Sequence, residues 1–342
     1  MKRHGNLWNK IVSYDNLYLA YKSAKRGKGT RTAITDFEKD IEGNLKKLHL
    51  MLVNRTFTTS KYESKTIYEP KIREIYILPF YPDRIVQHAL LQVIIPIWDN
   101  LMIDDSYACR QGKGMHQASA KTMEHVKKYD YCLKCDIKKF YPSIKHDILT
   151  RIIERKIKCK DSLWLLKDII NSFEGDKNTP IGNYTSQWFG NLYMNEVDTY
   201  VKDKKYQAYI RYCDDFVIFS NDKKDLHLLK LEIEAFLASK LSLKFSRWSI
   251  FHVNQGIDFL GYRHFRNKIL LRKTTSKRVV KRVKNLPINY NNGIITLEQF
   301  ESSLASTMGW LKWANTFNLR EMLNMKQLKQ GIKDEKLSKT HK

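Results

Sequence analysis

Residues 209–219 read Tyr-Ile-Arg-Tyr-Cys-Asp-Asp-Phe-Val-Ile-Phe, and this stretch decides the fold. Apolar runs rich in aromatic and β-branched residues flank Cys213, Asp214 and Asp215, a pattern that predicts two strands joined by a tight turn. Apart from Arg211 the strands are apolar, as in the central hairpin of a buried sheet. Two adjacent carboxylates at such a tip repel each other, so a divalent cation is their expected partner. A solvated turn is the alternative.

A third carboxylate is expected nearby, because one hairpin supplies too few oxygen ligands for two hard cations. Residues 131–137 alternate in hydropathy, which predicts a strand with Asp136 on its polar face. Two Mg²⁺ ions bridged by carboxylates can activate a 3′-hydroxyl and neutralise a leaving pyrophosphate. This pattern predicts the palm of a nucleotide polymerase. Tyr141 is placed to pack under the sugar of an incoming nucleotide, and a core aromatic is the alternative.

The composition indicates the class of partner. The 342 residues include 61 Lys and Arg against 36 Asp and Glu, a net charge of +25. Such a surface attracts polyanions, so we expect nucleic acid. The longest apolar run, residues 89–98, is too short to span a bilayer, and the charged N-terminus does not predict a signal peptide. We therefore expect no membrane partner.

The cysteines indicate a reducing compartment, because they are five in number and scattered along the chain. Cys132 and Cys135 have the spacing of a zinc half-site, but no second pair of ligands follows at a suitable distance, so no zinc is expected.

Several motifs together resemble those of reverse transcriptases in order and spacing. They are Asp-Ile-Lys-Lys-Phe-Tyr at 136–141, Ile-Gly-Asn-Tyr-Thr-Ser-Gln at 181–187, Tyr-Cys-Asp-Asp at 212–215 and Gly-Ile-Asp-Phe-Leu-Gly-Tyr at 256–262. More narrowly, the chain looks like the reverse transcriptases of diversity-generating retroelements. Its Ile-Gly…Ser-Gln replaces the Gln-Gly…Ser-Pro of group II intron and retron enzymes, and Ser-Tyr-Ala-Cys-Arg at 106–110 precedes Lys113-Gly114.

The resemblance implies a mixed α/β (α+β) fold of the polymerase right-hand form, with fingers, a palm built on an antiparallel sheet, and a helical thumb. Beyond residue 262 the sequence itself predicts helices only. The implied divisions are an N-terminal basic arm and helix (1–60), fingers (61–130), palm (131–262), basic thumb (263–330) and disordered tail (331–342). Within the first division we expect a weakly structured arm to residue 30 and one helix over residues 35–52.

The resemblance also implies roles for individual residues. The catalytic and metal-binding set is Asp136, Asp214 and Asp215, with Ile137 beside the first. The nucleotide-binding set is Lys71, Arg73, Tyr141, Ile181, Gly182 and Gln187. The primer grip is Phe259, Leu260, Gly261 and Tyr262. The set that meets the nucleic-acid backbone is Lys277, Arg278, Lys281, Arg282 and Lys284.

Structural alternatives remain for the basic groups. Lys71 and Arg73 would also suit a solvated strand edge. Residues 268–284 hold eight basic side chains and no acidic one. This stretch fits the phosphates of a duplex, but it would also suit a solvated face, a membrane surface or an acidic protein.

The implied activity is RNA-directed DNA synthesis from dNTPs with two Mg²⁺ ions, or Mn²⁺ in their place. The implied partners are a template-repeat RNA, the primer and cDNA, and a basic, pentameric accessory variability protein, in a bacterial or phage-encoded cytoplasmic system. Alternatives are a retron, group II-like or defence-associated reverse transcriptase, and a catalytically silent RNA-binding scaffold.

Ile181 is the most informative departure from the wider pattern. Most relatives carry Gln at this position, whose amide can hydrogen-bond near the incoming nucleotide. Loss of such a bond lowers discrimination by about 1–3 kcal/mol. Ile181 therefore predicts inaccurate copying, and misreading of template adenines is what the narrower resemblance implies. The lysine that often follows the active-site hairpin in the family is not evident, because Lys244 and Arg247 lie near its position while Ser249 occupies its expected place, so the proton donor to pyrophosphate stays open.

Overall fold

The structure, a computed structural model, describes residues 3–28, 31–68 and 72–340, and side chains as far as residue 332. Within these residues the helices are α1 (Trp8–Val12), α2 (Tyr14–Lys25), α3 (Thr32–Glu38), α4 (Ile41–Val53), α5 (Ile85–Asp99), α6 (Met115–Lys128), α7 (Phe140–Ser143), α8 (His146–Glu154), α9 (Lys160–Asn171), α10 (Tyr184–Asp203), α11 (Lys223–Phe236), α12 (Lys273–Asn291), α13 (Leu297–Lys312), α14 (Phe317–Met322) and α15 (Met325–Thr340). The strands are β1 (Glu63–Ile67), β2 (Arg73–Ile77), β3 (Tyr131–Ile137), β4 (Tyr209–Tyr212), β5 (Asp215–Ser220), β6 (Phe245–His252), β7 (Ile257–Phe259), β8 (Tyr262–His264) and β9 (Ile269–Leu271).

The described strands form three sheets. β1 and β2 make an antiparallel ribbon with Ile67 opposite Arg73. The central sheet has the order β4-β5-β3-β6, and β4 and β5 form the hairpin expected from residues 209–219. β7, β8 and β9 form an antiparallel three-stranded sheet. The combination of helices with antiparallel strand pairs agrees with the predicted α+β class.

The chain divides into two compact units that interleave along the sequence. The first unit comprises Met1–Lys113, Lys134–Val217 and His227–Ser249. The second comprises Gly114–Leu133, Ile218–Leu226 and Ile250–Lys342. The boundary nearest the expected position at residue 262 follows Ser249, and helix α6 belongs with the C-terminal segment and not with its sequence neighbours. The fingers, palm and thumb divisions stay a prediction.

The prediction of a weakly structured arm to residue 30 was wrong for residues 8–25, and residues 1, 2, 29 and 30 of that arm lie outside the described residues. Residues Tyr14–Lys25 form α2, and its buried side chains, Leu17, Ala20, Tyr21 and Ala24, recur at helical spacing. Helix α2 packs on the apolar helix α5, where the Asn16 Nδ2 donates to the Ala89 carbonyl at 3.0 Å. The segment carries basic side chains that suggest a solvated arm, but an apolar stripe at helical spacing lies between them.

The helix expected over residues 35–52 is split into α3 and α4. Asp40 ends the continuity because its Oδ1 accepts a hydrogen bond from the Gly43 N–H at 2.9 Å and so caps the second helix. A side-chain cap of this kind contributes about 1 kcal/mol. The apolar stripe of Leu45, Leu48 and Leu52 is buried as predicted.

The C-terminal part of the second unit has a core of its own. Helices α12 and α13 pack together through buried side chains, and a capping box of Thr296 and Gln299 begins α13. The core side chains include Val279, Val283, Leu286, Phe300, Leu304 and Leu311. Each buried aliphatic or aromatic side chain contributes about 1.5–3 kcal/mol relative to exposure.

Two predictions for the C-terminal segment were wrong. Strands β8 and β9 lie where only helices were expected. Helix α15 extends to Thr340, where disorder was expected from residue 331. In α15, Met325 and Ile332 are buried against the core of α12 and α13, which explains why a lysine-rich segment is helical.

Across the described residues, no helix combines the length and the apolar character needed to cross a bilayer.

Candidate active site

The central sheet brings the predicted carboxylates together. Asp136 is the sixth residue of β3, Asp215 is the first residue of β5, and these two strands are neighbours in the sheet. Cys213 has φ +56°, so the chain reverses tightly through Cys213 and Asp214. All three carboxylates are half-buried. Asp136 and Asp215, which are far apart in the sequence, therefore lie on neighbouring strands, as a polymerase site requires.

The electrostatics of the site are those of crowded negative charges. The pKa of Asp215 is raised to about 7, first by burial and then by the charges of Asp136 and Asp214, and Asp215 and Asp136 also share a hydrogen bond. Lys134 opposes the rise. The Ser246 hydroxyl donates to the Asp136 carboxylate and thereby orients it. Such a set gains stability when a cation binds, because the cation offsets both the repulsion and the desolvation.

The donor chemistry fits hard divalent cations such as Mg²⁺, which take carboxylate oxygens. Asp136 and Asp215 are the pair that would hold an ion, with Asp214 beside them. In the part of the chain that the structure describes, no group of three or more His, Cys, Asp or Glu side chains is already arranged to hold a metal. The Ile137 side chain is buried, so only its main-chain carbonyl could take the predicted part in binding.

The buried guanidinium of Arg211 holds the turn of Cys213 and Asp214 in place. Arg211 Nη1 donates to the Cys213 carbonyl at 3.0 Å and to Asn191 Oδ1 at 3.1 Å. Its Nε and Nη2 donate to the two oxygens of Asp198, each at 2.7 Å. Nη2 also donates to Ser106 Oγ at 2.9 Å. This side chain therefore ties the turn to helix α10 and to the segment around residue 106.

Tyr141 lies beside the carboxylate turn, in helix α7 directly after β3. The pKa of its hydroxyl is raised first by burial and then by Cys213, Cys109 and Asp214, which places these groups near the ring. Gly190 of α10 makes room for the ring, because a Cβ there would lie 3.1 Å from the Tyr141 Cε1. Tyr141 is half-buried, as the wall of a pocket would be, and its role as sugar gate stays a prediction.

The loop before α10 is joined to the β1–β2 ribbon. The Tyr76 N–H donates to the Ile181 carbonyl at 2.8 Å. Gly182 has φ +118°, and a Cβ there would lie 2.6 Å from the Tyr76 carbonyl oxygen, so only glycine permits this approach. Arg73 is exposed at the first residue of β2, and Gln187 is exposed on α10. Lys71 lies outside the described residues.

The predicted primer-grip residues form a hairpin in the second unit. Phe259 and Tyr262 face each other across a two-residue turn in which Leu260 and Gly261 have φ +59° and +81°. Positive φ at both positions is the signature of a type I′ turn. A Cβ on Gly261 would lie 2.9 Å from the Trp310 ring, so helix α13 fits closely against this turn. The hairpin is present, and its contact with a primer stays a prediction.

Helix α12 has the two faces that the sequence predicts. Val279, Val283 and Leu286 are buried. The five predicted basic residues, Lys277, Arg278, Lys281, Arg282 and Lys284, are all exposed. Arg282 also donates to Ser303 Oγ at 2.8 Å.

The tryptophans of α13 serve packing. Trp310 packs on Tyr262 with ring centroids 4.9 Å apart, and Trp313 stacks on His116 at 4.7 Å. Both rings therefore pack against side chains of the same unit.

The sequence analysis assigned no role to several residues of the site. Arg211 was noticed as the one charged residue of an apolar hairpin, and such a residue signals a buried acidic partner. Its partner, Asp198, could not be identified from the sequence, because the helical pattern of residues 186–200 is explained by apolar positions alone. Ser246 and Cys109 carry no signal in the sequence by themselves.

Comparison with known proteins identifies the family. A protein-family model described as "Reverse transcriptase (RNA-dependent DNA polymerase)" matches residues 65–264, more than half of the chain. The chain belongs to the reverse transcriptase family. The matched range includes all three carboxylates, Tyr141 and the primer-grip hairpin, so the resemblance seen in the motifs is confirmed at this level.

Curated relatives of this reverse transcriptase are distant in sequence. "Protein YkfC" of Escherichia coli is 26% identical over 239 residues, covering 56% of this chain and 63% of the relative. "Group II intron-encoded protein LtrA" of Lactococcus lactis is 22% identical over 344 residues, covering 75% of this chain and 56% of the relative. The chain thus spans about three-fifths of the length of these two relatives.

Proposed function

We propose that the chain is an RNA-directed DNA polymerase that extends a primer by two-metal phosphoryl transfer. The observation that carries the proposal is the side-by-side arrangement of Asp136 and Asp215 on neighbouring strands, with Asp214 in the adjoining turn. Membership of the reverse transcriptase family supports the same reaction. A silent RNA-binding scaffold would gain nothing from keeping three repelling carboxylates together.

The metal ions, when bound, supply charge that lowers the pKa of the primer 3′-hydroxyl and stabilises the developing phosphate charge. The residues of the chain would hold these ions in place. Asp136 and Asp215 would bind the ions through carboxylate oxygens, and Ser246 fixes the rotamer of Asp136. Arg211 fixes the main chain at Cys213, next to Asp214.

The substrates that fit this site are dNTPs, an RNA template and a primer that becomes cDNA. Tyr141 beside the carboxylates would close the space that a 2′-hydroxyl needs and so select deoxynucleotides. Arg73 on the exposed start of β2, with Lys71 before it, would meet the triphosphate, since a guanidinium pairs with phosphate oxygens in bidentate fashion. Gly182 and Gln187 would line the nucleotide pocket from the other side.

The remaining predicted regions would have defined roles in such a polymerase. Residues 61–130 would act as fingers, 131–262 as palm and 263–330 as thumb. The turn of Leu260 and Gly261 between Phe259 and Tyr262 would hold the primer end. The exposed cations of α12 would follow the phosphates of the primer–template duplex, independently of its sequence.

The narrower proposal is mutagenic copying in a diversity-generating retroelement, in bacterial or phage-encoded cytoplasmic systems. It rests on Ile181, whose main chain bonds to Tyr76 while its aliphatic side chain offers no hydrogen bond to a nucleotide. The template would be a template-repeat RNA, and a basic pentameric accessory protein would join through shared RNA or through a local acidic patch. The second candidate, a group II-like reverse transcriptase, is favoured by the likeness to an intron-encoded protein.

Primer extension tests the broad proposal. The purified chain is given poly(rA) with an oligo(dT) primer, dTTP and Mg²⁺ or Mn²⁺. We expect extension by the natural chain and by the Asp203→Asn control, whose side chain is exposed away from the site. Asp136→Asn and Asp215→Asn are expected to abolish it. Undiminished extension by either site variant would contradict the proposal, and RNA binding without extension would favour the scaffold.

Sequencing of the cDNA tests the narrower proposal. Ile181→Gln is expected to lower the error rate opposite template adenines. Equal error rates in the natural chain and Ile181→Gln would remove this residue from the explanation, and faithful copying by the natural chain would favour the group II-like alternative.

A further inference from the structure

Two cysteine side chains meet next to the catalytic turn. Cys109 is exposed, and Cys213, the residue before Asp214, is half-buried. The two side chains interact: their contact lowers the pKa of the Cys109 thiol, and the same contact together with burial raises the pKa of the Cys213 thiol. Both residues have left-handed backbone conformations, with φ +59° and +56°, so each lies at a sharp turn outside a regular element. The two thiols belong to turns 104 residues apart in the sequence.

The fold holds these two turns together at several points. Ser106 pairs with Arg211 as a parallel bridge. The Arg211 N–H donates to the Asp105 carbonyl and the Tyr107 N–H donates to the Arg211 carbonyl, each at 3.0 Å. The Arg211 side chain then bonds to both segments, to Ser106 Oγ at 2.9 Å and to the Cys213 carbonyl at 3.0 Å. The thiols are therefore neighbours through a fixed framework.

We propose that Cys109 and Cys213 form a reversible disulfide that turns off DNA synthesis. The effect on synthesis rests on the proposed polymerase function, whereas formation of the bond does not.

The oxidant is a small-molecule disulfide such as oxidised glutathione. The exposed Cys109, as thiolate, attacks one sulfur of the oxidant and releases one glutathione. Cys213 then loses its proton, attacks the Cys109 sulfur of the mixed disulfide and releases the second glutathione. The protein loses two electrons and two protons, and the oxidant gains them as two glutathione thiols.

The bond would disturb the catalytic site because of its length. Disulfide sulfurs are about 2.05 Å apart, much closer than hydrogen-bonded thiols. Closing that gap pulls the turn at Cys213 toward Cys109, and Asp214 follows directly in the chain. Tyr141, which lies near both thiols, would be displaced with it. A misplacement of about 1 Å at reacting groups lowers a rate about 100-fold.

The other cysteines provide an internal comparison. Cys132, Cys135 and Cys159 are buried, so a dissolved oxidant reaches Cys109 first. The proposal therefore predicts one specific cross-link rather than general oxidation.

The test treats the full chain with buffers of rising oxidised-to-reduced glutathione ratio, blocks free thiols by alkylation, and maps disulfides by mass spectrometry. We expect a peptide cross-linked between Cys109 and Cys213 that disappears with dithiothreitol. Primer extension measured on the same samples is expected to fall by at least about tenfold and to return on reduction. Cys109→Ser, and Cys109→Ala as a second variant, should extend primers with little change across the same buffers. Cys159→Ser should respond as the natural chain does.

Three results would overturn the proposal. One is Cys109 joined to glutathione without any cross-link to Cys213. Another is a cross-linked chain that extends primers at the reduced rate, and the third is equal inhibition of Cys109→Ser by oxidant. If the reduced chain extends no primer, the polymerase proposal fails, and the cross-linked peptide alone then decides whether the pair forms.

Discussion

Arg211 and Asp198 form a bidentate ion pair with 2.7 Å contacts, and neither side chain is exposed to solvent. Tyr209 adds a hydrogen bond to Asp198 Oδ1 at 2.6 Å. Burying two charges costs several kcal/mol per ion, which the pair offsets only through good geometry and further hydrogen bonds. The third guanidinium nitrogen, Nη1, is directed to the Cys213 carbonyl. We infer that the pair positions the turn that carries Asp214 and Asp215.

Replacing Arg211 with Lys tests this positioning role. The ammonium keeps the charge but cannot bond at once to Asp198, Ser106 and the Cys213 carbonyl. We expect kcat for primer extension to fall about 10–100-fold with KM for dNTP changed little. Arg155→Lys is the control, since Arg155 pairs with Glu196 at the surface. A normal kcat in Arg211→Lys would show that the turn is held by other contacts.

Removing the charge of Arg211 has a different expected effect. Arg211→Met leaves Asp198 charged and buried without its partner, which lowers the free energy of unfolding by about 3–5 kcal/mol. Urea denaturation measures this loss. The double variant Arg211→Met with Asp198→Asn should recover much of it, and a loss in the double variant that equals the sum of the two single losses would contradict the buried-pair account.

The free energy of unfolding should fall as the pH is lowered, because His264 is buried in its neutral form. Its Nδ1 donates to the Ile257 carbonyl, and its Nε2 accepts from Ser119 Oγ at 2.7 Å, so the buried ring is neutral. Burial lowers the pKa of His264 to about 4, against 6.5 in the unfolded chain. Below about pH 6.5 His264 binds a proton in the unfolded chain but stays neutral in the folded chain. The free energy of unfolding therefore falls as the pH is lowered to about 4. The full loss is about 3 kcal/mol.

Chemical denaturation of the natural chain and His264→Gln at pH 7 and pH 5 measures this effect. The variant is expected to lose less stability on acidification. His88 gives a remaining slope of the same sign, because burial also lowers its pKa to about 4. Parallel pH profiles of the natural chain and His264→Gln would contradict the assignment.

Three glycine substitutions separate backbone strain from crowding. Gly261 has φ +81° and faces the Trp310 ring, Gly293 has φ +68° in open space, and Gly309 is helical in open space. We expect Gly261→Ala to destabilise most, by about 1–3 kcal/mol, Gly293→Ala by about 1 kcal/mol, and Gly309→Ala to be neutral or stabilising. Thermal unfolding ranks them. A Gly261→Ala variant no less stable than Gly293→Ala would show that Trp310 does not pack on the turn.

Charge removal on α12 tests its contact with nucleic acid. The variant with Lys277→Gln and Lys281→Gln is expected to bind a primer–template duplex more weakly. Its slope of log affinity against log salt should be smaller by about 1.4–1.8, since two phosphate contacts are lost. The control with Lys46→Gln and Lys47→Gln changes the net charge equally on α4. The same loss in both double variants would indicate a general charge effect instead of a binding face.

Local pattern sufficed for the elements nearest the chemistry. Strand β3 has the bounds predicted from the alternation of residues 131–137, and the hairpin of β4 and β5 follows from apolar runs around a polar turn. These elements were predictable because neighbouring residues alone determine their periodicity. The placement of Asp136 beside Asp215 followed only from the chemical need for a third carboxylate.

Long-range packing was not predictable in the same way. Helix α2 carries basic residues beside an apolar stripe that is buried against α5, α4 and α1. Helix α6 belongs to a unit that the chain completes more than a hundred residues later. The contacts of Arg211 and the contact between Cys109 and Cys213 join segments that are far apart in the sequence. Hydropathy periodicity reports only on neighbouring residues, so it could not predict these contacts.

Anomalous diffraction from crystals grown with Mn²⁺, an RNA–DNA primer–template and a non-hydrolysable dNTP tests the central claim most directly. The account predicts manganese peaks within coordination distance, about 2–2.5 Å, of carboxylate oxygens of both Asp136 and Asp215, with the nucleotide phosphates as further ligands. Manganese bound at other side chains while these two carboxylates contact only protein or water would contradict it.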